Sequence, residues 1–297
     1  MSKVVSRLLI FFIGVPIIIA IALWPFCNHL ALHILLILSS IFGANELYNL
    51  FKTKVSLLPK ALIICCTAFL PTIAALTTIF PDYVPSILTR SGDIITTSFV
   101  FVILLLLLVE VIFTKEFEKS IQRISASSFI VLYVGYLITF ISKMTTISEA
   151  GQDYLSCIYI AVFLLMVFMC DSLAWLFGVL LGKNNRGLIK ASPNKSIAGF
   201  IGGFAGSIGN GIIVYKFYPE FFPGISAGSL AKIILLGLST AFSSIVGDLA
   251  ESVIKRSAGA KDSGHLIPGR GGLLDSIDSI LMSAPVYYVL ITHFYSL

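Results

Sequence analysis

This chain of 297 residues is short of charge: Asp, Glu, Lys and Arg make up 12% of it, about half the share usual in a soluble domain. Hydrophobic residues make up 57%, and the mean hydropathy is +0.99, so most side chains must face lipid or one another. The five cysteines lie in or beside apolar segments without metal-type spacing, which excludes a Cys-ligated metal motif and leaves the redox compartment open. No GxxxxGK[ST] loop occurs, so P-loop phosphate chemistry is excluded. Internal repeats and low-complexity linkers are absent too. The net charge of +5 is no sign of nucleic-acid binding; where the charge sits matters more.

What the chain does have is long apolar runs. Nine of them, near 6–24, 28–50, 61–80, 94–113, 124–142, 155–181, 197–217, 229–247 and 277–295, approach the roughly 20 residues that span a bilayer. They are continuously apolar rather than alternating, which favours helices over a barrel. The expected fold is therefore all-α: a polytopic membrane protein of about nine transmembrane helices, with no room for a separate soluble domain. MSKVVSR before the first run looks like the start of a signal peptide. Trp24, Pro25 and Phe26 follow that run instead of a small-residue cleavage pattern, so an uncleaved helix is expected.

If the N-terminus is cytoplasmic and nine spans alternate, 16 of the 20 Lys and Arg fall on the cytoplasmic side and the C-terminus lies outside. Residues 1–150 are Leu/Ile/Phe-rich and read as lipid-facing, structural helices. Residues 151–297 hold most of the glycines and aspartates and read as the catalytic part.

Acids inside spans are costly and are functional candidates by default. Asp171 lies in the sixth run, Asp248 ends the eighth, and Asp275 and Asp278 open the ninth at i and i+3, on one helical face. Clustered carboxylates call for a cation, and oxygen-only donors favour Mg²⁺ over zinc. Structural readings stand beside this one: Asp171 as a hydrogen-bonded interior residue, Asp275 and Asp278 as helix caps. Glu46 and Glu110 read as interfacial or structural, and a lone loop histidine such as His265 is more often solvated than catalytic. Lys195, Lys255, Arg256, Lys261 and Arg270 surround the aspartates, as a phosphate-bearing ligand would require. Glycines 199, 202, 203, 206, 209 and 211 read as close helix packing.

The stretch SVIKRSAGAKDSGHLIPGRGGLLDSID resembles the signature of the phosphatidate cytidylyltransferase (CDP-diacylglycerol synthase) family. Ser252, Lys255, Arg256, Lys261, Asp262, Pro268, Gly271, Gly272, Asp275 and Asp278 fall in register with it. So do Gly247–Asp248–Leu249, Glu251, Asp171 with Phe177–Gly178, and Ser192–Pro193–Asn194–Lys195–Ser196. Three positions depart: Arg270 replaces a usual His, Ser276 a usual Arg, and Ala198 a common Glu.

The resemblance implies condensation of CTP with phosphatidic acid to CDP-diacylglycerol and pyrophosphate. It implies catalytic roles for Asp171, Lys195, Asp248 and Asp275, and Mg²⁺ on Asp248, Asp275 and Asp278. Substrate contacts are expected from Ser192, Asn194, Lys255, Arg256, Lys261, Asp262 and Arg270, with a second, monovalent cation such as K⁺ beside the same acids. The expected partners are the two substrates and the bilayer, no nucleic acid, and a homodimer left open. The expected setting is a bacterial inner membrane with the site facing the cytoplasm. The rival reading is an ion-coupled secondary transporter, whose acids and glycine-broken helices resemble these. Its acids would lie at the midplane rather than at one face, and no inverted repeat is evident.

Overall fold

The computed structural model describes residues 10–83, 93–147, 154–219, 230–267 and 269–295. Among them are helices and no strand, and eight helices are long and apolar enough to cross a membrane. These are α2 (Phe26–Phe51), α3 (Lys60–Ile79), α4 (Ile94–Phe113), α5 (Phe117–Met144), α6 (Leu155–Leu180), α7 (Ile197–Phe217), α8 (Leu230–Ser257) and α9 (Leu274–Tyr295). A shorter apolar helix, α1 (Phe12–Ala22), precedes them. It is the described part of the first expected span, whose residues 6–9 lie outside the described residues together with Lys3, Arg7, Arg90 and Pro268.

The expected spans match the helices closely except at polar ends. The eighth was expected to stop at 247, but α8 runs on to Ser257. The segment DLAESVIKR is polar but helical: Glu251 and Lys255 pair at i and i+4, which supports the added turns. The ninth apolar run was placed near 277 with Asp275 and Asp278 opening its helix; α9 starts at Leu274, and Asp275 stands in its first turn as expected. Glu251, Lys255 and Arg256, beyond the apolar run, are therefore carried on helix.

The chain divides into two compact units. The first comprises residues Met1–Thr146 and Ser257–Ser276; the second comprises Ile147–Arg256 and Ile277–Leu297. In the first, α3 packs on α2 and α5. Gly135 of α5 leaves its backbone against α3, where an added Cβ would lie 2.9 Å from the Thr67 carbonyl oxygen. Asp93 caps α4, accepting from Ile95 N at 3.1 Å and pairing with Lys143. The connecting segment Ser257–Ser276, which sequence reasoning grouped with residues 151–297, belongs to this first unit.

In the second unit α6 and α7 lie in backbone contact along a glycine stripe. A Cβ at Gly202 would lie 2.6 Å from the Leu173 carbonyl, and one at Gly206 would lie 2.4 Å from that of Met169. Only glycine permits so close an approach. Gly209 is the exception, with no atom within 4 Å of the place a Cβ would take. Phe163 of α6 packs on Tyr287 of α9 with ring centroids 5.1 Å apart.

Candidate active site

The second unit gathers most of the acids singled out in the sequence. Gly247 of α8 meets α9 so closely that a Cβ there would lie 2.6 Å from the Asp278 carbonyl oxygen. That contact joins the turns carrying Asp248 and Asp278. Asp278 is 5% exposed, and the charges of Asp248, Glu251 and Asp171 act on its carboxyl. Its Oδ1 accepts from the Ser279 amide at 2.7 Å. Burying a carboxylate away from water costs several kcal/mol, and like charges around it add to the cost.

Two lysines hold the neighbouring acids. Lys195 Nζ lies 2.6 Å from Asp248 Oδ2, and Lys255 pairs with the fully buried Glu251. Lys195 reaches α8 from the segment between α6 and α7. Its amide donates to the Ser192 carbonyl at 3.1 Å, closing a turn over Pro193 and Asn194. Ser196 then caps α7, its hydroxyl accepting from the Gly199 amide at 3.0 Å. Ser192 is half-buried and Asn194 exposed beside this lysine, and Arg256 Nε lies 3.5 Å from the Ala191 carbonyl. The Lys195 and Asp248 side chains are 23% and 37% exposed, so this pair is open to solvent and to a ligand.

Asp275 belongs to the first unit. Its Oδ2 accepts from the Ser263 amide at 2.8 Å, the Ser263 hydroxyl at 2.9 Å and the Gly272 amide at 2.7 Å. Gly271, at φ +121°, would place a Cβ 2.5 Å from that same oxygen and 3.0 Å from the Asp262 Cβ. Lys261, Asp262, His265 and Arg270 are exposed on this segment. Ser276, where the family signature has Arg, buries a hydroxyl that finds no partner among the described residues.

Sequence reasoning assigned Glu46 only a structural or interfacial place, yet it is the organiser of this segment. From α2, 6% exposed, it accepts from the Leu273 amide at 2.9 Å, the Leu274 amide at 2.8 Å and the Ser263 hydroxyl at 3.0 Å. An acid inside an apolar helix was the one signal available for it. Glu251 was noted only as part of the signature; the structure makes it the partner of Lys255.

The donor chemistry suits a hard divalent cation: every candidate ligand is a carboxylate oxygen, and Asp278 is buried among acids. Among the described residues no three His, Cys, Asp or Glu stand as a preassembled metal cluster, and on Asp248 the resident cation is Lys195. The first unit also holds a cavity of about 670 Å³ around Glu110 and Arg123, which includes none of the candidate site residues.

Fold and site together define a polytopic helical membrane protein whose acids and bases are gathered toward the ends of its later helices. The model of the cytidylyltransferase family matches residues 5–294, and the chain belongs to that family. It is 30% identical to phosphatidate cytidylyltransferase 4, chloroplastic, of Arabidopsis thaliana over 93% of this chain and 70% of that protein. With the phosphatidate cytidylyltransferase of Bacillus subtilis the identity is 31%, over 65% of this chain and 67% of the relative. With that of Mycobacterium bovis it is 35%, over 58% of this chain and 52% of the relative. Nothing among these relatives supports the transporter reading.

Proposed function

We propose that the chain transfers the cytidylyl group of CTP to phosphatidic acid, giving CDP-diacylglycerol and pyrophosphate. The observation that carries this reading is Asp278, buried among Asp248, Glu251 and Asp171, with Lys195 and Lys255 paired to two of those acids. Family membership and the relatives' names point to the substrates; the cluster supplies the means to handle their phosphates.

An oxygen of the phosphatidate phosphate attacks the α-phosphorus of CTP. The new phosphorus–oxygen bond forms as the bond to the α,β-bridging oxygen breaks, and pyrophosphate leaves with that electron pair. No protein nucleophile is needed. Lys195 and Lys255 meet phosphate oxygens as charge builds on them, with Arg256, Lys261 and Arg270 as further phosphate contacts. Ser192, Asn194 and Asp262 contact substrate, and Asp171 completes the polar surroundings of Asp278. Asp248, Asp275 and Asp278 would hold Mg²⁺, with a monovalent cation such as K⁺ beside them; bound there, the divalent ion neutralises phosphate charge. The distribution of Lys and Arg supports a site facing the cytoplasm, and the bacterial relatives support a bacterial inner membrane as its setting.

The test is direct. Purified protein in phosphatidate-containing vesicles, given α-labelled CTP and Mg²⁺, should form labelled CDP-lipid. Absence of product across varied lipid and metal conditions would overturn the reading.

A further inference from the structure

Two observations meet at Glu46. Its carboxylate uses both oxygens on one segment: Oε1 takes the Leu273 amide, and Oε2 takes the Leu274 amide and the Ser263 hydroxyl. Leu273 and Leu274 open α9, where amides lack helical partners and a negative charge is favoured. Independently, the segment is shaped around this carboxylate. A Cβ at Gly264 would lie 2.6 Å from Glu46 Oε1, and one at Gly272 would lie 2.4 Å from Oε2. Two glycines of the segment thus leave room for an acid more than 200 residues away in sequence. Among the described residues no Lys or Arg pairs with Glu46; its charge is met by amides and a hydroxyl.

We infer that Glu46 is a positioning residue for the reaction. It clamps Ser263–Leu274 and fixes the first turn of α9, on which Asp275 stands, so that the first-unit helices act in catalysis through one carboxylate. Asp275 closes the same clamp from the other side: it takes the Ser263 amide and shares the single Ser263 hydroxyl hydrogen with Glu46. Glu46 touches no substrate; it acts through the backbone it holds. This inference rests on the cytidylyl-transfer reading for its catalytic consequence, but not for the clamp itself.

The test compares full-length Glu46→Gln and Glu46→Asp with the wild type in vesicles. Gln presents an amide donor to an N–H that needs an acceptor; Asp keeps the charge but is one methylene too short to reach all three donors. Hydrogen exchange of peptides covering 263–274 should rise by about tenfold or more in both variants, with other segments unchanged. Per folded molecule, kcat should fall by about 10- to 100-fold, the scale of a small misplacement of reacting groups, while KM for CTP stays within about threefold. A purely structural role would lower yield or melting temperature and leave kcat per folded molecule alone. Wild-type kcat or wild-type exchange at 263–274 in Glu46→Asp overturns the inference, even if Glu46→Gln fails to fold. If the wild type forms no CDP-lipid, the functional reading fails, and the exchange data still decide whether the clamp exists.

Discussion

Buried acids meet different surroundings in the two units. In the first, the described ones, Glu46 and Glu110, are held by fixed partners, as Glu251 of the second is held by Lys255. Glu46 is wrapped in amides, and Glu110, 4% exposed, binds Arg123 through both oxygens, with Nη2–Oε1 at 2.6 Å. Arg123 is itself completed by Thr114 Oγ1 at 2.6 Å and the Glu116 carbonyl at 2.7 Å. In the second unit Asp278 is buried with acids as its charged neighbours, and the Lys195–Asp248 pair is partly open. An acid in a membrane helix is therefore not functional by position alone. The telling feature is whether its charge is already satisfied by fixed groups.

Substitutions can break or sharpen that contrast. The largest effect is expected at Asp278. Asp278→Asn replaces a carboxyl crowded by like charges with a neutral amide of the same size, so turnover should fall by about a thousandfold or more while the melting temperature holds or rises. A loss of stability in step with activity would mean that Asp278 is structural like Glu110. Next is Gly247→Ala, which drives a Cβ to 2.6 Å from the Asp278 carbonyl and 2.9 Å from the Met282 Cβ. Overpacking of this kind costs about 1–3 kcal/mol, and kcat in the CDP-lipid assay should drop about 10- to 100-fold as the two helices part. Unchanged kinetics would show that the α8–α9 contact does not set the site.

The smallest effect concerns acid stability in the first unit. Partial burial raises the Asp93 carboxyl, but hydrogen bonds and charge from Lys143, with help from Thr96 and the Ile95 amide, bring it below the ordinary carboxylate value. A depressed folded value means stability that is present above about pH 4 and lost as the pH falls through the lower folded value. Melting temperatures of wild type and Asp93→Asn should thus differ at pH 7 and converge as the pH falls through the lowered folded value. A difference that grows on acidification would contradict this assignment.

The apolar spans were legible because long uninterrupted apolar runs admit little besides membrane helices. Their polar ends were not. Residues 248–257 look like loop by composition, yet the Glu251–Lys255 pair carries α8 through them. The candidate residues were legible as types, since Asp171, Asp248 and Asp278 are acids where a bilayer disfavours them. Their partners were not: Lys195 finds Asp248 across 53 positions, and Glu46 finds Ser263 across 217. Such long-range pairs are set by packing, which local sequence does not display. The glycine stripe of α7 was readable as packing, but only the structure separates Gly206, pressed on a carbonyl, from Gly209, which faces open space.

The central claim is that a buried acid already matched by a fixed cation, such as Glu110 by Arg123, serves the fold, whereas the partly open acids beside Asp278, such as Asp248, serve turnover. It is tested most directly by measuring CDP-lipid formation and melting temperature side by side for Asp248→Asn and Glu110→Ala. The account predicts that Asp248→Asn loses turnover by about a thousandfold or more and keeps its melting temperature within a few degrees. It predicts that Glu110→Ala, which leaves the half-buried Arg123 without its carboxylate, lowers the melting temperature and keeps near-wild-type kcat per folded molecule. Near-wild-type turnover in Asp248→Asn, or abolished turnover in a stably folded Glu110→Ala, would contradict it.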